Sequence, residues 1–138
     1  MRCAGLLVLF ALAGLAQPVE AASSGRPLSS SEANGRKIVT DRRHGLCLLC
    51  HAGQFAEEAF PGNIAPPLDT LVKDRTAQEL RARIAHPQAY APESIMPAYG
   101  RPSEGARVAD PWRDKPILTE TEIDDVVAFL LTLQVGPR

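Results

Sequence analysis

The 138 residues suffice for one domain and not comfortably for two. Lys and Arg total 15 against 16 Asp and Glu, a net charge of −1, which excludes the basic excess of a nucleic-acid binder and the charge-rich composition of a disordered chain. Hydrophobic residues reach 45%, yet aromatics are only 5% and the cysteines number 3, so stability must draw on something besides an ordinary core or a disulfide framework.

The chain opens on an address. Arg2 supplies a positive start, Ala4 to Ala16 is an unbroken apolar run, and Val19-Glu20-Ala21 suits a signal peptidase. Residues 1–21 are therefore predicted to be a secretory signal peptide, cleaved after Ala21. The apolar run falls short of the ~20 residues of a membrane span, so no membrane anchor is expected. Cys3 would leave with the signal, and Cys47 and Cys50 would remain in an oxidising compartment. Residues 22–28 read as a flexible lead-in, and 29–138 as the folded domain.

Three helices follow from pattern and caps. Ser29 with Glu32 forms a capping box ahead of a helix to about Arg42, whose internal Gly35 is tolerable if another helix must approach closely. Thr76 with Glu79 opens a second, in which Ala77, Leu80 and Ile84 make the apolar stripe, Arg81 and Arg83 fall towards solvent, and Pro87 stops the helix. Thr119 with Glu122 opens the third, with Ile123, Val126, Val127, Leu130 and Leu131 in helical register to about Leu133, before Gly136-Pro137. Between them lie long connections holding Pro61, Pro66, Pro67, Pro92, Pro97, Pro102, Pro111 and Pro116, with no alternating stretch of strand length. Loops this long keep a shape by wrapping something.

Cys47-Leu48-Leu49-Cys50-His51 is the C-x-x-C-H pattern of c-type haem attachment. One turn can present two thiols to the two vinyl groups of one porphyrin edge, and the following imidazole then lies beneath the ring, aimed at iron. A dithiol redox site, a structural zinc site and a plain disulfide are the alternatives. The first lacks a βαβ context. The second lacks the paired spacing of a finger, with only His44, His51 and His86 beside the thiols. The third would close too short a loop to stabilise much. Export favours haem c, which is attached outside the cytoplasm.

Beyond the signal, Met96 is the only methionine, in Ser94-Ile95-Met96-Pro97, and is the candidate distal ligand; Met/His ligation raises the reduction potential. His86, the rival, ends a helix, where a protonated imidazole suits the dipole. His44 reads as surface, and Arg36, Lys37, Arg42 and Arg43 as a solvated face. Pro66, in the rigid Ile64-Ala65-Pro66-Pro67-Leu68, is placed to offer its carbonyl to the ring N–H of His51.

These residues resemble class I cytochrome c, and within it the SoxX family, the monohaem subunit of the SoxXA complex of thiosulfate oxidation. The resemblance covers roughly residues 32–134. It is carried by Asp41-Arg42 through Gly45 into the haem motif, by Ala65-Pro66-Pro67-Leu68, by Glu79-Leu80-Arg81 with Ile84, and by Pro92 to Tyr99 (PESIMPAY). Its most specific part is Trp112, Lys115-Pro116-Ile117-Leu118-Thr119, Glu122-Ile123 and Asp125 to Leu130. Departures are Ala65 for the usual Gly, His86 for the usual Asp, Gly100 for a second aromatic, and the apolar Leu46, Leu48 and Leu49; none removes a ligand.

The resemblance implies an all-α, class I cytochrome c-like fold of three to five helices around one covalent haem c. Cys47 and Cys50 would form the thioethers, with His51 the proximal and Met96 the distal iron ligand. The chain would be a periplasmic electron-transfer subunit, docked on a SoxA-type cytochrome. The complex would act as an L-cysteine S-thiosulfotransferase, coupling thiosulfate oxidatively to a cysteine of the SoxYZ carrier and passing electrons to a small cytochrome c. The sulfur chemistry would belong to SoxA, because both remaining cysteines are committed to haem, so no catalytic residue is assigned to this chain. A freestanding shuttle, or a haem subunit of another periplasmic oxidoreductase, shares the haem site and is the alternative.

Overall fold

The computed structural model describes residues 26–103, 105 and 107–134. The signal-peptide expectation, residues 22–25 of the lead-in and the Gly136-Pro137 stop lie outside the described residues. Four α-helices follow in chain order: α1 Ser30–Thr40, α2 Leu68–Leu71, α3 Ala77–Ala85 and α4 Glu120–Thr132. Three short 3-10 turns, Cys47–Leu49, Pro87–Ala89 and Asp110–Trp112, punctuate the loops, and no strand occurs among the described residues. Their only β pairing is an isolated parallel bridge between His51 and Ala65.

All three expected capping boxes are formed. At α4 the Thr119 hydroxyl accepts from the Glu122 N–H (3.3 Å) while the Glu122 carboxylate accepts from the Thr119 N–H (2.8 Å). The same reciprocal pairs open α1 at Ser29 and α3 at Thr76. Hydrogen bonding holds each acid in its charged form. The Arg26 guanidinium and the Ser29 backbone N–H bring Glu32 down to about 2, and the Thr76 and Thr119 N–H groups lower Glu79 and Glu122. The helices end as their sequences require, α3 with His86 capping just before Pro87.

α1 packs across α4, and Gly35 is the reason it can. A Cβ at Gly35 would stand 2.0 Å from the Asp125 carbonyl oxygen and 2.8 Å from Phe129 Cβ. Ser31 also hydrogen-bonds Asp125 at this crossing. With Gly35 in contact, the narrow apolar face of α1 needs only Ile38 and Val39 to bury. Replacing Gly35 by Ala must push the helices apart despite Ala's better helix propensity. The expected loss is about 1–3 kcal/mol of unfolding free energy, as for an overpacked core. Chemical denaturation checks it, and an unchanged or raised midpoint would contradict it.

α4 is buried over a broader arc than its predicted stripe. Ile123, Val126, Val127 and Leu130 are inside as expected, Leu131 is only partly covered, and Phe129 is among the most buried side chains. Phe129 fills the space beside Phe55, with ring centroids 6.1 Å apart. On α3, Leu80 and Ile84 are buried and Ala77 is exposed, because the helix meets α4 only beyond its first turn. Arg81 does not run free to solvent: it bonds Asp124 (2.8 Å) and Glu120 of α4. Arg36 and Arg42, read as a solvated face, reach Glu57 and Glu58 (2.8 and 2.7 Å) and tie the loop after the C-x-x-C-H turn to α1 and its exit. These are exposed ion pairs and contribute little stability.

Candidate haem site

The structure places all five predicted site residues, Cys47, Cys50, His51, Pro66 and Met96, around one cavity of about 550 Å³. Its wall is mostly apolar, with Val39, Leu68, Leu80 and Tyr99 among its residues and Val126 and Leu130 contributed by α4. The Pro-rich loops wrap this space.

The turn that presents the thiols is tight. Cys50 N–H and His51 N–H both donate to the Cys47 carbonyl, at 3.2 and 2.9 Å. Leu46 enters it with φ 61°, a left-handed conformation that a branched, non-glycine side chain adopts at a cost. The two sulfurs are unbonded to each other. Burial pushes the Cys47 thiol up to about 11. A thiol so protonated is a poor nucleophile, contrary to what a dithiol redox site needs. Among the described residues no group of three His, Cys, Asp or Glu side chains comes together to hold a metal ion, so the zinc alternative lacks a ligand set.

A second segment straps the turn from the other side. Gly62 N–H donates to Leu48 O (2.8 Å), Ala65 N–H to Cys50 O (3.0 Å) and Leu68 N–H to Ala52 O (2.9 Å). Gly62 permits the approach, since a Cβ there would lie 2.1 Å from the Leu49 carbonyl oxygen. The strap delivers the Pro66 carbonyl to 2.7 Å from His51 Nδ1. A carbonyl only accepts, so Nδ1 carries the proton and Nε2 keeps its lone pair for a metal. The substitution of Ala65 for Gly leaves that carbonyl in place.

Met96 also lines the cavity and is partly buried against the core. Its loop is bounded by the Pro87–Ala89 turn and by Tyr99, whose N–H donates to the Ile84 carbonyl (3.2 Å). His86 is exposed at the end of α3 and does not line the cavity, so it is no rival ligand. His44, read as surface, is half-buried: its Nε2 lies 2.8 Å from a Glu122 carboxylate oxygen, joining the approach to the haem motif to the α4 cap.

Two cavity residues escaped the sequence reading. Arg83, expected in solvent, lines the cavity with its guanidinium carbon 4.8 Å above the Tyr90 ring centroid and its Nε buried without a partner. Arg75 lines it too, held by its Nε–H to the Leu71 carbonyl (2.8 Å). An unpartnered buried guanidinium nitrogen is costly unless an acceptor joins it. An apolar group bearing carboxylates fits this wall, which offers two thiols, an imidazole and two guanidinium groups.

The cytochrome c family profile matches residues 32–134. The chain belongs to the cytochrome c family. Its cofactor is therefore haem c, covalently bound, with Cys47 and Cys50 at the spacing that attachment requires. The crystal structure of SoxXA from P. pantotrophus contains a chain that superposes on this cytochrome with a TM-score of 0.67 at 35% identity. The match covers 83% of this chain and 88% of that one. The cytochrome is of the SoxX type, and its mostly helical fold agrees with that assignment. No curated protein sequence matches it significantly. No described helix is long and apolar enough to cross a membrane.

Proposed function

We propose that this cytochrome is the electron-transfer subunit of a periplasmic, thiosulfate-oxidising SoxXA-type complex. The observation that carries the reading is the 35% identity to a chain of SoxXA over most of both lengths, supported by a cavity lined by Cys47, Cys50, His51 and Met96. Residues 1–21 would be its export signal and 29–138 its haem domain.

In this reading Cys47 and Cys50 would carry the thioethers, His51 Nε2 and the Met96 sulfur would hold iron, and Pro66 would hold the imidazole in the right tautomer. Arg83 and Arg75, which line the same cavity, would receive the porphyrin carboxylates. Haem c bound there supplies a one-electron iron couple, which Met ligation keeps at a relatively high potential. The apolar wall would shield the haem from water, and with Cys3 gone in the signal peptide the chain would offer no further thiol for sulfur chemistry. Joining thiosulfate to a carrier cysteine forms a sulfur–sulfur bond and releases two electrons and a proton. That bond-making belongs to a SoxA-type partner acting on SoxYZ, and this chain removes the electrons singly towards a small cytochrome c.

Co-expression with a SoxA-type cytochrome tests the reading. The expected result is co-purification, and thiosulfate-dependent reduction of a small cytochrome c that stops when this chain is omitted. A chain that purifies alone and whose omission changes nothing is a freestanding shuttle or serves another oxidoreductase.

A further inference from the structure

We propose that Gln88 is a positioning residue for the distal ligand, clamping the loop that presents Met96. The inference rests on the reading of Met96 as the iron ligand and adds what holds it there. Gln88 follows Pro87 in the 3-10 turn that ends α3. Its Nε2 donates to the Met96 carbonyl at 2.7 Å and to the Ser94 carbonyl at 3.1 Å. Both partners only accept, so the amide orientation is settled: a flipped carboxamide would set oxygen against two carbonyls. Both hydrogens of one amide are thereby spent on the residues around Ile95.

The other end of the amide sharpens the point. Gln88 Oε1 is buried and has no protein partner, one of two such side-chain atoms found among the described residues. Gln88 also lines a second cavity, of about 270 Å³, together with Ile95, Met96 and Pro97. A buried acceptor without a partner is a cost that needs an explanation. Here the same side chain secures two carbonyls of a loop that has little else. Within that loop the Ser94 hydroxyl accepts from the Met96 N–H at 3.3 Å, and Ser94 N–H donates to Ala91 O at 2.9 Å. Ile95, between the two clamped carbonyls, is 81% exposed, so burial of its own side chain does not hold it. A methionine sulfur is a weak donor and depends on being presented; the clamp lowers the population in which it swings away.

Displacement by imidazole reads that population, since an outside ligand binds in proportion to the fraction of chains whose distal site is open. The haem-loaded chain in its ferric state is titrated with imidazole while the near-infrared sulfur–iron charge-transfer band is followed. Q88L keeps the bulk and removes both donors, and is expected to lose the band at about tenfold lower imidazole, as the loss of two ordinary hydrogen bonds allows. Q88E sets a carboxylate against the two carbonyls and should shift at least as far; it carries the test if Q88L does not accumulate with haem. S31A, which breaks the α1–α4 side-chain bond away from the loop, should titrate like the parent. Equal displacement in parent, Q88L and Q88E overturns the clamp alone, as does an equal shift in S31A. Absence of the band from the parent overturns the Met96 reading and this inference together.

Discussion

The C47A/C50A double variant is expected to lose all covalent haem and, with it, a cooperatively folded domain. A thioether needs a thiol, and among the described residues Cys47 and Cys50 are the only cysteines. The consequence for stability follows from where the cavity sits. Val39, Leu80, Tyr99, Val126 and Leu130 belong to the core and also line the cavity, so α1, α3 and α4 all meet around it. At about 24 cal/mol per Å³ of cavity, a void of this size is worth roughly 13 kcal/mol, the order of a whole domain's stability. Water entering through the mouth softens that cost, so the figure is an upper bound. Haem staining of a denaturing gel and thermal unfolding followed by near-ultraviolet circular dichroism check the two halves. A variant that unfolds in one sharp transition near the parent's temperature would show that the helices do not depend on the cofactor.

The second large effect is at Met96. M96A should abolish the near-infrared sulfur–iron band completely and lower the reduction potential, because loss of a thioether ligand removes the preference for ferrous iron that Met/His ligation provides. Among the described residues neither other histidine can replace it: His86 is exposed at the end of α3 and does not line the cavity, and His44 is engaged with Glu122. The variant should therefore take up exogenous imidazole readily, whereas M96H should give a low-spin haem of lower potential without it. Optical and magnetic circular dichroism spectra, with a redox titration, decide the matter. A retained band in M96A would remove Met96 from the coordination sphere.

The legible parts of this molecule are those written in local pattern. Ser29, Thr76 and Thr119 announce their helices because a capping box is completed within four residues. Cys47, Cys50 and His51 announce the haem because attachment chemistry fixes their spacing. Gly35 is readable as a point of close approach, though not what approaches it. The unreadable parts depend on residues distant in sequence. Arg83 turns inward because the cavity, and not α4, lies beside its turn of α3, which helical periodicity cannot reveal. His44 finds Glu122 across the fold, and Phe129 joins the core beyond the predicted stripe because α1 covers that flank of α4. Gln88 carries no motif at all: a glutamine after a proline gains meaning only when two carbonyls of the Met96 loop are seen to converge on it.

The strap from Gly62 to Leu68 makes length, more than side-chain identity, the quantity under constraint beside the haem motif. Its three backbone bonds to Leu48, Cys50 and Ala52 set a register, and the Pro66 carbonyl meets His51 only in that register. Ala65 stands where the SoxX pattern has Gly, and the carbonyl is still delivered. A single inserted residue between Gly62 and Pro66 would instead carry the carbonyl past the ring and release the proton of Nδ1 to solvent. Related chains should thus drift in composition between Gly62 and Leu68 while keeping the count, and absorb insertions before residue 62, where the loop pairs with α1 and its exit through long, forgiving side chains.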